Sequence, residues 1–135
     1  MNAVDSSVIV AAFSSWHEHH ETARLAMAER PHLPAHAAAE AYSVLTRLPN
    51  PYRASPGLVH EFLASTFGDR TLQVDATTVI DLLGELAQLG IVGGASYDGL
   101  IGQTVRAVGA TLLTLDQRAR ETYDRLGVRV TSLVT

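Results

Sequence analysis

Four acidic residues lie within or directly beside segments that are otherwise uncharged, where an acid is not expected merely as a solvent-exposed residue. Asp5 interrupts the apolar stretch "MNAVDSSVIV", and Glu40 is the only charge in the Ala-rich run "AAAEAYSVL". Asp98 follows the Gly-rich loop "GGASY", and Asp116 ends the apolar run "TLLTLD". Clustered carboxylates repel one another, and a hard divalent cation such as Mg²⁺ or Mn²⁺, which prefers oxygen ligands, relieves that repulsion. The four acids are therefore candidate metal ligands.

Two hydroxyl side chains accompany these acids along the chain. Ser7 stands two residues after Asp5, and Thr114 stands two residues before Asp116. A bound divalent cation lowers the pKa of a water molecule and stabilises negative charge on a phosphate oxygen. Acids with nearby hydroxyls, in a chain that has no Lys, point to metal-assisted hydrolysis of a phosphodiester. Ser7 is then expected to orient the carboxylate of Asp5 as a neighbouring side chain that does not itself bind the metal, as is common around metal ligands.

Each acid has a simpler explanation when it is considered singly. Asp5 and Asp116 could cap the helices that follow them, because Asp is a preferred residue at that position. Asp98 could be a first-turn acid that responds to the helix dipole. Glu40 could be an exposed residue on an Ala-rich helix. The occurrence of all four in this arrangement favours a common site over four unrelated roles.

Composition excludes several classes of protein. The chain has 135 residues and a net charge of −4, so it does not bind nucleic acid through bulk positive charge. All ten basic residues are Arg, which excludes a P-loop and any mechanism based on a Lys. Cys is absent, so disulfides and thiolate metal sites are excluded. No apolar stretch is long enough to span a bilayer, and a secretory signal is not evident, so a cytoplasmic protein is expected.

Short apolar strands that alternate with helices must position the acids. The sequence predicts strands before Asp5 and in "PHLP", "RTLQVD", "GATLLTLD" and "VRVTSLV", with helices at about 7–13, 18–30, 35–48, 56–66, 76–89, 97–108 and 117–126. This order indicates an α/β protein, one domain over residues 1–135, whose short central and mainly parallel sheet is covered by helices on both faces, giving three α/β/α layers.

Ligand sites in parallel sheets lie beyond the carboxyl ends of the strands, where Asp5 and Asp116 fall. A phospho-acceptor signalling domain of the flavodoxin-like type would also place Asp residues there. That type of domain relies on a Lys near the phosphate, which this chain lacks. The phospho-acceptor interpretation is therefore strongly disfavoured.

Over essentially its whole length the chain resembles the PIN-domain ribonucleases, of the VapC toxin type found in toxin–antitoxin pairs, and three stretches carry this resemblance. They are "VDSSVIVAAF", "HAAAEAYSVLTRL" and "GGASYDGLIGQTVRAVGATLLTLDQRA". The resemblance assigns the family's acidic positions to Asp5, Glu40, Asp98 and Asp116, with Ser7 and Thr114 as the accompanying hydroxyls. Gly99 and Gly102 depart from the family, which usually has Ala there, and this departure predicts looser packing of their helix.

The resemblance implies a PIN-like fold and an endoribonuclease that depends on Mg²⁺ or Mn²⁺ and slows translation. It also implies a homodimer and a cognate, VapB-like antitoxin whose C-terminal segment covers the active site. An alternative is a PIN-fold binding or scaffold module without cleavage activity. The target RNA, the number of metal ions and the face used for dimerisation do not follow from the sequence.

Arginines must supply contacts to the RNA backbone because the domain as a whole is acidic. Arg47 lies seven residues after Glu40, two turns along the same predicted helix, and Arg118 lies two residues after Asp116. Both are candidates for the rim of an RNA groove.

The segment "SSWHEHHET" looks like a second metal site, but its spacing argues against one. His17, His19 and His20 stand close together without the one-face spacing of a His-Glu-x-x-His helix. A loop-to-helix junction with exposed His side chains is the expected structure. The neighbouring Trp16 could mark a flank of the RNA path or the antitoxin-binding face, but packing in the core is the expectation.

Overall fold

A computed structural model describes residues 1–134 and contains short strands connected by helices. In chain order the elements are β1 Asn2–Val4, α1 Ser6–Phe13, α2 His20–Ala28, β2 Leu33–Pro34, α3 Ala35–Thr46, α4 Pro56–Phe67, β3 Thr71–Leu72, α5 Ala76–Leu89, α6 Ala95–Ala107, β4 Thr111–Thr114, α7 Gln117–Arg125 and β5 Arg129–Ser132. Within residues 1–134, no helix combines the length and the apolar character that a membrane crossing would need.

The central sheet is parallel, as the alternation of strands and helices predicts. Strand β4 lies between β1 and β5, with Ala3 opposite Leu112 and Leu112 opposite Val130. Strands β2 and β3 form a second parallel pair, which a bridge between Ala3 and His32 joins to β1. The α/β fold class with three layers is confirmed, because β1 and β4 are buried and helices pack against them.

Two element boundaries differ from the sequence-based expectations. The strand predicted in "RTLQVD" is reduced to Thr71–Leu72, because Asp75 accepts a hydrogen bond from the Thr78 amide at 2.8 Å and begins α5. The second helix begins at His20 and not near residue 18, so the preceding residues form a turn. This turn brings part of the His-rich segment to the candidate active site.

The core lies between the sheet and its covering helices. Strand β4 contributes Leu112 and Leu113, and α6 contributes Ile101 and Val105, all of them buried. Helix α7 adds Tyr123, which is fully buried and has the largest side chain at that depth. Helix α6 packs against β4, and α7 packs against α6 and β5, so both helices lie beside the sheet that carries the candidate ligands.

The two glycines of α6 permit close packing, and the expectation that they loosen the helix is wrong. A Cβ atom at Gly99 would lie 3.0 Å from a methyl group of Leu86, and one at Gly102 would lie 3.1 Å from Val128 and 3.2 Å from the Tyr123 ring. Both glycines are buried, so α6 approaches its neighbours at these points more closely than Ala would allow.

Gly84, in the exposed middle of α5, has no such packing role. A Cβ atom there would meet nothing within 4 Å, so the Gly84→Ala variant is expected to raise the free energy of unfolding by up to about 1 kcal/mol through helix propensity. Urea denaturation measures this change. Gly102→Ala is the matched comparison and is expected to destabilise the fold, since the buried Tyr123 ring must move. Equal gains for both variants would contradict the close packing of α6.

Candidate active site

A cleft at the carboxyl ends of β1 and β4 brings together three of the four predicted acids. Glu40 from α3, Asp98 from the first turn of α6, and Asp116 at the start of α7 line this cleft. Asp5 lies beneath its floor with 2% of its surface exposed. The four acids therefore occupy one site, although at two different depths.

Asp5 is the most heavily hydrogen-bonded of the four carboxylates. Its Oδ1 accepts hydrogen bonds from the backbone amides of Ser7 and Val8, at 3.0 and 3.4 Å, and from the Ser7 hydroxyl at 2.5 Å. Its Oδ2 accepts hydrogen bonds from the Thr114 hydroxyl at 2.6 Å and the Tyr123 hydroxyl at 2.9 Å. Burial raises the pKa of Asp5, and the hydrogen bonds from Ser7, Thr114 and Tyr123 oppose that rise. Asp5 is thus both the N-cap of α1 and part of the acidic site.

Ser7 and Thr114 connect the buried Asp5 to the strand end above it. The Ser7 hydroxyl accepts a hydrogen bond from the Leu115 amide at 2.9 Å, and the Thr114 hydroxyl accepts one from the Asp116 amide at 3.0 Å. The two hydroxyl oxygens lie 3.5 Å apart. This network holds Asp5 and the backbone of Asp116 in a fixed relation, which is the arrangement expected of side chains that orient metal ligands.

Asp116 and Glu40 both line the cleft, and each carboxylate accepts hydrogen bonds from neighbouring groups. The Oδ1 of Asp116 accepts hydrogen bonds from the Arg118 and Ala119 amides, at 2.9 and 3.2 Å, and so caps α7. Glu40 accepts a hydrogen bond at its Oε1 from the Ser6 hydroxyl. Ser6 is a residue that the sequence analysis missed, although its position directly after Asp5 was the available signal.

The ionisation of Asp98 is strongly perturbed by its position in the cleft. Burial, followed by repulsion from Glu40, Asp116 and Asp5, raises the pKa of Asp98 from 3.8 to about 7. The guanidinium of Arg118 acts in the opposite direction but does not cancel the effect. The cleft therefore holds more negative charge than its own residues neutralise, and a bound cation would relieve the repulsion.

Carboxylate oxygens are the ligands that Mg²⁺ and Mn²⁺ prefer, so the donor set and its excess negative charge fit a hard divalent cation. Among residues 1–134, no three His, Cys, Asp or Glu side chains already form a closed metal-binding group. Mg²⁺ commonly binds through one or two carboxylates and keeps several waters, so a closed protein cage is not required.

The predicted arginines and the His-rich segment both reach the cleft. Arg47 follows the last residue of α3 and donates a hydrogen bond to the Ser43 hydroxyl at 2.6 Å, and Arg118, in the first turn of α7, also lines the cleft. His17 and His19 line the cleft from the turn before α2. Burial and the neighbouring His19 lower the pKa of His17, which keeps this ring neutral at neutral pH.

Trp16 is 49% exposed, so the prediction that it packs in the core is wrong. The turn that precedes α2 holds it at the surface, where its ring contacts the rings of His17 and Tyr52.

Tyr123 is the residue of this site that sequence reasoning missed most completely. It lies in the polar helix "QRARETYDR", and nothing in that pattern marks it as a partner of a residue near the N-terminus. Burial and the negative charge of Asp5 raise the pKa of Tyr123, so its hydroxyl remains a hydrogen-bond donor.

The Tyr123→Phe variant removes that donor and leaves the ring in place. We expect the free energy of unfolding to fall by about 1 kcal/mol, because one buried hydrogen bond is lost without a cavity. Thermal denaturation followed by circular dichroism measures the change. Tyr42→Phe, at an exposed ring on α3, is the control and is expected to show no change. Equal losses in both variants would contradict the role assigned to the Tyr123 hydroxyl.

Comparison with known proteins places this geometry in a family. Residues 3–125 match the family model of the PIN domain. Over 135 residues, and over the full length of both chains, the sequence is 52% identical to Ribonuclease VapC40 of Mycobacterium tuberculosis.

Two solved structures share the fold at lower identity. The sarcin-ricin loop cleaving toxin VapC20 of M. tuberculosis superposes with a TM-score of 0.73 at 17% identity, covering 90% of this chain and 94% of VapC20. The structure of VapBC2 from Rickettsia felis, bound to a DNA fragment from their promoter, gives a TM-score of 0.67 at 16% identity, with 97% of each chain covered. Because of the PIN-domain match and the 52% identity over the full length, the chain belongs to the PIN-domain family and, within it, to the VapC ribonucleases.

Proposed function

We propose that this protein is the toxin of a toxin–antitoxin pair and that it cuts RNA phosphodiester bonds in the cleft formed by Glu40, Asp98 and Asp116. The observation that carries the proposal is the concentration of negative charge that raises the pKa of Asp98 to about 7. Repulsion within such a cluster of carboxylates lowers the stability of the metal-free protein. Strongly shifted pKa values of this kind are typical of functional sites. The ribonuclease name of a relative 52% identical over the full chain supports RNA as the substrate.

Mg²⁺ or Mn²⁺ is the proposed cofactor, held by Glu40, Asp98 and Asp116 in the cleft and by the carboxylate of Asp5 beneath them. When bound, such a cation supplies an activated water and stabilises negative charge on the phosphate. Asp98 must lose its proton before its carboxylate can act as a ligand. Ser7 and Thr114 hold Asp5 in place through their hydroxyls.

Arg47 and Arg118 are proposed to hold the RNA backbone at the rim of the cleft. Both side chains line the cleft, and guanidinium groups pair well with phosphate oxygens. They would offset the repulsion between the acidic cleft and the polyanionic substrate. Because phosphate contacts carry no sequence information, these arginines position the RNA without selecting its sequence.

A cognate, VapB-like antitoxin is the proposed protein partner, and its C-terminal segment is proposed to cover the cleft. The structural likeness to VapBC2 supports such a pairing. The negative charge of the cleft suits a segment that presents basic side chains. A homodimer and a cytoplasmic site of action, where translation would be slowed, complete the proposal.

Mapping of cleavage sites in total RNA after induced expression tests the proposed activity. New 5′ ends at defined positions, together with growth arrest, are the expected result. The Asp98→Asn protein is the control and should produce neither. If the wild-type protein leaves all RNA intact in Mg²⁺ and in Mn²⁺, the chain would act as a binding or scaffold module instead.

Divalent cations are expected to stabilise the protein in a pH-dependent manner. The pKa of Asp98 is about 7 in the folded protein, and its ordinary value, taken for the unfolded chain, is 3.8. Between these two pH values the folded state therefore binds one proton at Asp98 that the unfolded state has lost. The metal-free protein should therefore lose stability as pH rises through this window. Mn²⁺ should raise the Tm at about pH 8, where Asp98 is ionised, and much less at about pH 5. Differential scanning fluorimetry at both pH values checks this, and an equal rise at both would contradict it.

A further inference from the structure

A pair of exposed aromatic rings, Trp16 and Tyr52, lies at the surface beside His17, a residue of the cleft wall. The ring centroids of Trp16 and Tyr52 lie 4.7 Å apart at an interplanar angle of 48°. Their exposed fractions are 49% and 48%, which is high for large rings that contact each other. We call Trp16 and Tyr52 the aromatic pair.

The aromatic pair is continuous with the cleft through its sequence neighbours. The Trp16 ring lies 5.7 Å from the His17 ring, which lies 5.8 Å from the ring of His19, and both His side chains line the cleft. Tyr52 belongs to the segment that follows α3, and this segment begins at Arg47, another residue of the cleft wall. Trp16 therefore contacts the cleft wall through His17, and Tyr52 lies in the segment that begins at a residue of that wall.

Backbone hydrogen bonds hold the two segments that carry the pair. The turn that carries Trp16 is closed by hydrogen bonds from the His17 amide to the Ser14 carbonyl and from the His20 amide to the His17 carbonyl, both at 3.0 Å. The Tyr52 amide donates to the Pro49 carbonyl, also at 3.0 Å. The rings are therefore presented on ordered turns, which reduces the entropy lost when a ligand binds them.

We propose that Trp16 and Tyr52 form a stacking site for an unpaired RNA base close to the bond that is cut. Aromatic side chains commonly stack on the splayed bases of single-stranded RNA, while guanidinium groups hold the adjacent phosphates. The aromatic pair and Arg47 provide these two functions beside one acidic cleft. The inference rests on the proposed ribonuclease activity and assigns it an unpaired region of RNA as substrate.

The stacking site binds substrate and takes no part in the chemical step. Its loss should therefore raise KM and leave kcat nearly unchanged. Trp16→Ala and Tyr52→Ala are each expected to raise KM about 10-fold, within the range measured for single base–aromatic stacks. Trp16→Phe and Tyr52→Phe keep a ring and should recover most of the loss. Ile80→Ala, at an exposed apolar side chain on α5 away from the cleft, is the matched control and should leave KM unchanged.

Trp16 is the only Trp in the chain, so its fluorescence reports on this site directly. Titration of the Asp98→Asn protein, which should leave RNA uncut, with a short oligoadenylate is expected to quench the fluorescence to saturation. An oligonucleotide of equal length with abasic sites, which has the same phosphates but lacks bases, should bind about 10-fold more weakly. The cognate antitoxin is titrated in parallel.

Three results would overturn the stacking site. These are equal quenching by the abasic oligonucleotide, an unchanged KM in both Ala variants, and quenching by the antitoxin but not by RNA, which would mark the pair as a protein-binding surface. Failure of the wild-type protein to cut any RNA would overturn the proposed function instead. The fluorescence titration would still decide whether bases stack on Trp16, so the two failures are distinguishable.

Discussion

The Asp98→Asn variant is expected to lose RNA cleavage by at least about 100-fold and, at about pH 8, to melt at a higher temperature than the wild-type protein. Asn has nearly the same size as Asp but carries no charge and is a poor ligand for Mg²⁺. The repulsion that raises the pKa of Asp98 to about 7 is then absent. Loss of activity with a gain of stability is the signature of a charge that is retained for function.

The gain in stability should depend on pH in a defined direction. Above about pH 7 the folded wild-type protein must ionise Asp98 against Glu40 and Asp116, whereas the variant avoids this cost. Below about pH 4 both proteins are neutral at this position and should melt alike. Because solvent screens a partly exposed group, the expected difference in Tm at about pH 8 is on the order of 3 °C.

Asp81→Asn provides the control for this experiment, since Asp81 is an exposed acid on α5 outside the cleft. It should change neither cleavage nor the pH dependence of the Tm. Cleavage by Asp98→Asn at the wild-type rate would exclude Asp98 from the active site. A lower Tm at about pH 8 would contradict the proposed repulsion.

The Asp5→Ala variant is expected to lower the free energy of unfolding by about 3 kcal/mol, the largest effect on stability expected here. Loss of the cap of α1 accounts for about 1 kcal/mol. The hydroxyls of Thr114 and Tyr123 would lose a buried acceptor, and an unsatisfied buried donor costs about 1–3 kcal/mol. For a chain of this length, the Tm should fall by about 10 °C, measured by circular dichroism.

Asp116→Ala is the matched comparison for Asp5→Ala, because Asp116 also caps a helix but is exposed. Asp116→Ala should lower the free energy of unfolding by about 1 kcal/mol, the contribution of a helix cap alone. Both variants should lose cleavage, yet only Asp5→Ala should be strongly destabilised. Equal changes in stability would show that the buried hydrogen bonds of Asp5 contribute little. Because Asp5→Ala is expected to destabilise the protein strongly, a loss of activity in this variant cannot be separated from damage to the fold. Asp98→Asn is therefore the better inactive control.

The sequence by itself determined the fold class and placed three of the acids, Asp5, Asp98 and Asp116, where a parallel sheet can bring them to one edge, whereas the position of Glu40 depended on the packing of its helix. Short apolar strands between helices leave a parallel sheet as the compact arrangement, and its strand ends carry Asp5 and Asp116 to one edge. Whether each acid caps a helix or belongs to the site was left open by local patterns. In the structure Asp5 caps α1 and also lies beneath the cleft, because the N-cap position of α1 directly follows the end of β1.

Only the tertiary structure decided which partners complete the site and how deep each acid lies. Tyr123 stands 118 residues from Asp5, so no local pattern could connect its hydroxyl to that carboxylate. The contact exists because α7 packs against the sheet and α6, with Gly102 leaving room for the Tyr123 ring. The exposure of Trp16 likewise depends on the turn before α2 and on its contact with Tyr52. Residue types and spacing set the chemistry of the site, whereas burial, which raises the pKa of Asp5 and Asp98, arises only when distant segments pack together.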